Sequence, residues 1–174
     1  ALSGDGGDEL FGGYNRHFWA PKLWSKMKRV PLPIRAGLGR AGLQISPSGW
    51  NKLIAFSGPL CPRELKTGLG GERIHKFLTH LGCTSEKHFY QRLVSIQTNP
   101  SSFLIAPTGD GLENITRFNT QGLSFQEGMM YLDMATYLPD DILAKVDRAS
   151  MSVGLETRLP LLDHMLVEFA WSIP

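Results

Sequence analysis

From Asp8 onward the apolar residues Leu10, Phe11, Tyr14 and Phe18 recur at helical spacing. They predict an amphipathic helix that Pro21 kinks or ends, with a second helical piece running to about Lys28. Pro31, Pro33, Pro47, Gly58-Pro59 and Pro62 punctuate the next thirty or so positions, predicting short helices over 34–45 and 50–56 joined by turns. Further helices are expected over 71–81 and 85–97. The stretch 99–119 mixes Pro, Ser, Gly, Asp and Asn with few periodic apolar positions and reads as a loop between two helical halves. Ser124 followed by Glu127 fits a capping box, and Phe125, Met129 and Leu132 then recur at helical spacing as far as Leu138-Pro139. Met130, Met134 and Tyr137 make that helix apolar nearly all round, so it belongs in the interior, with the methionines as packing. The pattern predicts a mainly α chain, without internal repeats or low-complexity segments.

One stretch breaks this regularity. Ser3-Gly4-Asp5-Gly6-Gly7-Asp8-Glu9 packs three carboxylates and three glycines into a short loop just before the apolar run Leu10-Phe11. Glycines permit positive φ and close backbone approach, and amides at a helix start attract anions. Neighbouring carboxylates repel phosphate unless a divalent cation lies between them, so the chemical reading is a metal-bridged phosphate site. The plainer reading is that Asp8 and Glu9 are first-turn acids that favour the helix dipole and Asp5 is a turn residue. Gly7 and Gly12 have the spacing of a Walker loop, but Gly13-Tyr14 stands where Lys and Ser/Thr are required, which excludes a P-loop. Ala1-Leu2 reads as the end of a strand, because a Gly-rich loop leading into a helix usually comes after one in nucleotide-handling α/β folds. The chain is expected to begin inside a domain.

Composition narrows the classes further. At 174 residues, 42% hydrophobic and 20% charged, the chain can bury a substantial core and is not expected to be disordered. A net charge of +2 gives no reason to expect nucleic acid or a membrane surface as a partner. Lys22, Lys26, Lys28 and Arg29 are most simply a solvated helix face. No apolar run approaches the roughly 20 residues of a membrane span. Cys61 and Cys83, without CxxC spacing, predict reduced thiols and a cytoplasmic setting. The five histidines show no metal-ligand spacing, His164 included.

A second chemical segment lies over 140–154. Ile142, Val146, Ala149 and Val153 form an apolar stripe expected to pack, while Asp141, Lys145, Arg148 and Ser152 repeat the same spacing along its flank. Such an edge can carry charge into a cleft, or Asp141 and Lys145 can simply pair at the surface. Glu156 and Arg158 then sit between apolar residues, predicting a buried ion pair, with a substrate or phosphate contact by Arg158 as the sharper alternative. Asp133, inside the apolar helix, is either a buried acid with a hydrogen-bonding partner or a site residue.

Ser3-Gly4-Asp5-Gly6-Gly7-Asp8-Glu9-Leu10-Phe11-Gly12-Gly13-Tyr14, with Tyr137-Leu138-Pro139-Asp140-Asp141-Ile142-Leu143-Ala144-Lys145-Val146-Asp147-Arg148 and Glu156-Thr157-Arg158-Leu159-Pro160-Leu161-Leu162-Asp163-His164, closely resembles the synthetase domain of glutamine-hydrolysing asparagine synthetases. The resemblance is carried by roughly the first 15 residues and those after about Ser124; the middle holds no matching motif. It implies ATP-dependent amide synthesis. The aspartate side-chain carboxylate attacks the α-phosphorus of ATP to give an aspartyl adenylate and pyrophosphate, and ammonia from glutamine then attacks the activated carbonyl. Magnesium and cationic side chains suit that step because charge builds on the leaving pyrophosphate.

Carried over by motif position, the resemblance makes Asp8 the Mg²⁺-pyrophosphate ligand and places Ser3 and Gly4 near the activated substrate, with Gly6, Glu9 and Arg158 as further substrate or nucleotide contacts. Asp5 stands where many relatives have Glu, in a catalytic or substrate-orienting position. Lys145 and Arg148 resemble the cations facing the pyrophosphate, and some relatives have Lys where Arg148 stands.

The Ser-Gly-Gly-x-Asp-Ser loop that grips pyrophosphate in this family, and the N-terminal cysteine of its glutaminase half, are not in this sequence. The expected fold is therefore the helix-rich C-terminal portion of a truncated α/β ATP-pyrophosphatase-type (adenine nucleotide alpha hydrolase-like) synthetase domain, spanning 1–174 and inactive alone. Its expected partners are aspartate, ATP, ammonia and the missing segments of the same protein. Two rivals remain: a relative with another acceptor, forming a β-lactam or amidating a peptide or glycan, and a non-catalytic helical module that binds metal. Asp5, Asp8 and Glu9 supply too few oxygens for a calcium cage of six to eight ligands unless backbone and water complete it.

Overall fold

A computed structural model of the chain describes residues 1–56, 70–95, 115 and 117–173. These are almost wholly helical, and no β-strand occurs among them; a single parallel bridge joins Leu2 to Arg158. Two compact units form, one from Ala1–Leu23 with Asn99–Pro174 and the other from Trp24–Thr98. None of the described helices is long and apolar enough to cross a membrane.

In the first unit, helix α1 covers only Gly7–Phe11. The continuous helix expected from Leu10 to Phe18 is cut at Gly12, which takes φ +67° and, with Gly13, turns its amide back onto the carbonyl of Asp8. A left-handed residue ends a helix by satisfying carbonyls that would otherwise be orphaned. Helix α2 restarts at once, over Asn15–Met27, and carries Pro21 in its interior. Its residues from Trp24 onward belong to the second unit.

The second unit adds α3 (Leu32–Leu43), α4 (Pro47–Phe56), α5 (Gly70–His80) and α6 (Glu86–Val94), close to the predicted spans. The thiol of Cys83 is buried, which pushes its pKa up to about 11; Cys61 lies outside the described residues, as does most of the expected loop 99–119. Trp24 stacks on Phe89 at 5.5 Å, and His80 meets the same ring edge-on. Helix α5 packs on both α3 and α4. It approaches α4 so closely that a Cβ on Gly71 would stand 2.0 Å from the Pro47 carbonyl oxygen. Two cations serve the C-terminal end of α5: Arg35 donates to the carbonyl of Leu81 at 3.0 Å and Arg92 to that of Thr79 at 3.3 Å. Carbonyls at a helix end favour positive partners.

His80, the last residue of α5, is a source of acid sensitivity. Burial, with Lys76 and Arg92 nearby, pushes its imidazole down from the ordinary 6.5 to about 4. The folded chain therefore binds this proton less readily than the unfolded chain. The contribution is fully present above pH 6.5 and is lost as pH falls toward 4, by about 3 kcal/mol at most. Urea unfolding of the wild type and His80→Leu at about pH 7.5 and about pH 4 should show the gap between them change by that order in favour of the variant at low pH.

The remainder of the first unit is dominated by one long helical run. Ser124 accepts from the Glu127 amide and Glu127 returns a bond to the Ser124 amide, closing the expected capping box at the start of α7 (Phe125–Leu132). Those bonds also hold the Glu127 carboxyl below its ordinary pKa. Instead of stopping near Pro139, the run continues as a π-helical segment, Asp133–Leu143, and then as α8, Ala144–Met151. A π-helix bonds five residues apart, so a proline loses a different partner from the one a sequence reading assumes. The predicted stripe is only partly buried. Ile142 and Val146 are half-buried, but Ala149 and Val153 are exposed. A turn at Pro160–Leu162 leads into α9, His164–Ser172, capped by the Asp163 carboxylate.

Candidate functional site

The acidic loop is held from below by a distant segment. Ala1 accepts from the Arg158 amide at 2.8 Å, the Ser3 amide donates to the Arg158 carbonyl at 2.9 Å, and the chain's amino terminus donates to the Glu156 carbonyl at 2.6 Å. Beneath the glycines lies the 160–162 turn. A Cβ on Gly6, which sits at φ +92°, would overlap Leu162, and one on Gly7 would reach Leu161. That supporting segment is itself tied to the end of α8. The Leu155 amide donates to the Ser150 carbonyl at 2.9 Å, and Thr157 Oγ1 donates to Ser150 Oγ at 2.9 Å. Helix α1 packs against α7, the π-helical segment and α9. The first unit thus joins the two segments that stand out in the sequence, the loop and the stretch 140–158.

Within the loop, the Ser3 hydroxyl bonds to Asp5 Oδ2, orienting that carboxylate, and both residues are half-buried. Gly4 is open, with nothing near the space a side chain would take. Asp8 is exposed, and its carboxylate lies over the Cα of Gly13, where a Cβ would come within 2.0 Å of Oδ1. Glu9 differs: it is 1% exposed and accepts from the Tyr14 hydroxyl at 2.6 Å. Burial and that carboxylate push the Tyr14 phenol well above its ordinary pKa.

Lys145 and Arg148 are both exposed on α8. Lys145 Nζ pairs with Asp141 Oδ1 at 2.5 Å, an i,i+4 contact that raises its pKa. Arg158 and Glu156 do pair, but in solvent rather than in the interior expected from their apolar neighbours, with each side chain at least 70% exposed. Short alternation in an extended segment held at one edge leaves charged side chains on its free face.

Asp133 is a buried acid with partners. It is 0% exposed, with Arg16 Nη2 2.8 Å from Oδ1 and the buried His17 Nε2 2.7 Å from Oδ2. Arg16 also lies 3.9 Å from the ring centre of Tyr14 and 5.5 Å from that of Tyr137. Sequence reasoning left Asp133 open and passed over Arg16 and His17. The available signal was an acid embedded in an apolar helix, which requires a cation elsewhere in the fold.

No cluster of three or more His, Cys, Asp or Glu suited to a metal occurs among the described residues. Magnesium bound through phosphate oxygens and water needs only one or two carboxylates to complete an octahedral shell. The Asp8 carboxylate is exposed and lies beside Gly13. Gly13→Ala is expected to displace it. Mg²⁺-pyrophosphate affinity, read by titration calorimetry, should fall severalfold while the thermal midpoint moves little.

Comparison with known proteins gives a consistent result. The family model for asparagine synthase matches residues 1–174. Asparagine synthetase [glutamine-hydrolyzing] 1 of Bacillus subtilis (strain 168) is 30% identical over 180 aligned positions, covering 100% of this chain and 24% of the relative. A putative asparagine synthetase [glutamine-hydrolyzing] of Mycobacterium bovis is 26% identical over 177 positions, covering 99% of the chain and 24% of the relative. Asparagine synthetase [glutamine-hydrolyzing] 3 of Bacillus subtilis is 44% identical over 46 positions, 26% of the chain and 7% of the relative. The chain spans about a quarter of the length of the first two. No solved structure matches.

Proposed function

The chain belongs to the asparagine synthase family, and from that premise we propose that it forms part of an ATP-dependent carbon–nitrogen ligase that adenylates the side-chain carboxylate of aspartate and passes ammonia from glutamine to it, giving asparagine, AMP and pyrophosphate. The surrounding fold in this reading is the α/β ATP-pyrophosphatase type, in a cytoplasmic enzyme. The observation that carries the proposal is the backbone pairing of residues 1–3 with 156–158, themselves bonded to the end of α8. It unites an acidic loop with a cationic helix in one unit.

Each residue has a task in this reading. Asp8 is the carboxylate that holds magnesium, and the metal, when bound, neutralises charge on the pyrophosphate oxygens. Gly4 and Gly6 let the backbone come close to the nucleotide. Ser3 fixes Asp5, which orients the acceptor carboxylate. Lys145, paired with Asp141, and Arg148 stabilise negative charge as pyrophosphate departs. Arg158 lends positive charge from the segment under the loop, and buried Glu9 acts on the loop through Tyr14. Asp5 in place of the commoner Glu leaves room for a different acceptor carboxylate, so acceptor dependence is the decisive measurement. A protein of the relatives' full length, given Mg²⁺-ATP and ammonium, should release pyrophosphate in proportion to added aspartate. Release driven by another carboxylate would replace aspartate in the proposal, and release with none would overturn it.

A further inference from the structure

Arg16 and His17 stand on the first turn of α2, which follows the short helix α1 that carries Asp8, whereas Asp133 opens the π-helical segment that ends just before Lys145. The Asp133 carboxylate is fully buried and uses one oxygen for each of these two partners, so three side chains fasten the two arms of the proposed site to each other. Two aromatic rings extend the fastening in both directions. Tyr14 touches Arg16 with its ring, His17 edge-on at 5.5 Å, and Glu9 of α1 with its hydroxyl. Tyr137 meets Tyr14 edge-on at 6.1 Å, and its ring centre lies 5.5 Å from the Arg16 guanidinium. His17 Nδ1 is buried without a hydrogen-bond partner among the described residues, so the ring's hydrogen bond there is the one with Asp133. This is more polar investment than a helix contact requires, since apolar residues of similar volume would pack as well.

We infer that Asp133 is a positioning residue: through Arg16 and His17 it sets the register of the π-helical segment against the acidic loop, and thereby the place of Lys145 relative to Asp8. The inference rests on the proposed function, because it assigns Lys145 a pyrophosphate to meet. The buried Asp133 carboxylate stands 2.8 Å from Arg16 and 2.7 Å from His17, so the π-helical segment is anchored at its first residue, and the place of its last turn depends on that anchor. Supporting partners of this kind typically alter ligand affinity by about 10–100-fold when removed, although they touch no ligand.

The test is a double-mutant cycle in the full-length protein, with Mg²⁺-pyrophosphate binding measured by titration calorimetry and turnover measured alongside. Lys145→Ala should weaken binding, and Asp133→Asn should weaken it by about 10-fold or more. In the Lys145→Ala background, Asp133→Asn should cost nothing further, and in turnover its effect should fall on kcat rather than on KM for the nitrogen donor. Equal losses from Asp133→Asn in both backgrounds, a structural signature, would overturn the inference and leave the proposed function intact. Unchanged binding in Lys145→Ala would overturn the inference and move the pyrophosphate contact to Arg148, while the proposed function stands or falls on the carboxylate dependence of pyrophosphate release. If Asp133→Asn does not fold, Arg16→Lys decides, since it keeps the charge and removes the planar fork; it must show the same dependence on Lys145, with a smaller effect.

Discussion

Lys145→Ala is expected to lower aspartate-dependent pyrophosphate release in the full-length enzyme by about two to three orders of magnitude, the usual order for deleting one preorganised charge that meets a developing anion. The side chain is 72% exposed, and its only ion pair among the described residues is with Asp141, one turn away on the same helical run. An exposed pair of that kind contributes little to stability. The variant should therefore melt within a degree or two of the wild type while turnover collapses. Steady-state kinetics with a coupled pyrophosphate assay, beside a thermal scan, separates the two readouts. A variant retaining more than a tenth of wild-type kcat would remove Lys145 from the chemistry and move the role to Arg148.

The opposite balance is expected at Asp133. Replacing it by Ala leaves the buried His17 and the largely buried Arg16 without their shared anion. Breaking a buried pair from one side typically costs about 3–5 kcal/mol, and the partial exposure of Arg16 places this case near the lower bound. Guanidinium unfolding should register that loss as a lower midpoint. The triple change Asp133→Leu, Arg16→Met, His17→Phe should recover most of it, because a desolvated charge cluster and a well-packed apolar one are close in free energy. Stability regained without pyrophosphate affinity would be the expected outcome of that repair.

Legibility along the chain depends on the range of the interactions involved. Caps and prolines act within a few residues, and the Ser124–Glu127 box and the spans of α3, α4 and α5 were legible for that reason. The break at Gly12 was not, because a helical stripe through Leu10, Phe11 and Tyr14 looks continuous until a left-handed glycine divides it. Nor was the π-helical run, since a search for apolar repeats at about 3.6 residues carries straight across it; the exposure of Ala149 and Val153 was equally hidden, because periodicity does not say whether a neighbour covers the face. In the candidate site, the loop was conspicuous from its composition. Its support was not: the pairing of Leu2 with Arg158 depends on a contact with the far end of the chain, and the burial of Glu9 under Tyr14 depends on neighbours from α7 and beyond. Spacing alone pointed to Asp141 and Lys145 as a surface pair, and they form one; any chemical task for Lys145 comes from the family and from the tests above.

The pairing of residues 1–3 with 156–158 also orders events in time. A ribosome delivers Trp24–Thr98 as one uninterrupted stretch, so the second unit can finish folding on its own during synthesis. The acidic loop emerges before it, yet its backbone finds partners only after some 150 further residues have been made. Closing so large a span is entropically slow. Nascent chains halted before Arg158 should therefore leave residues 1–3 open to protease, and those released beyond it should not.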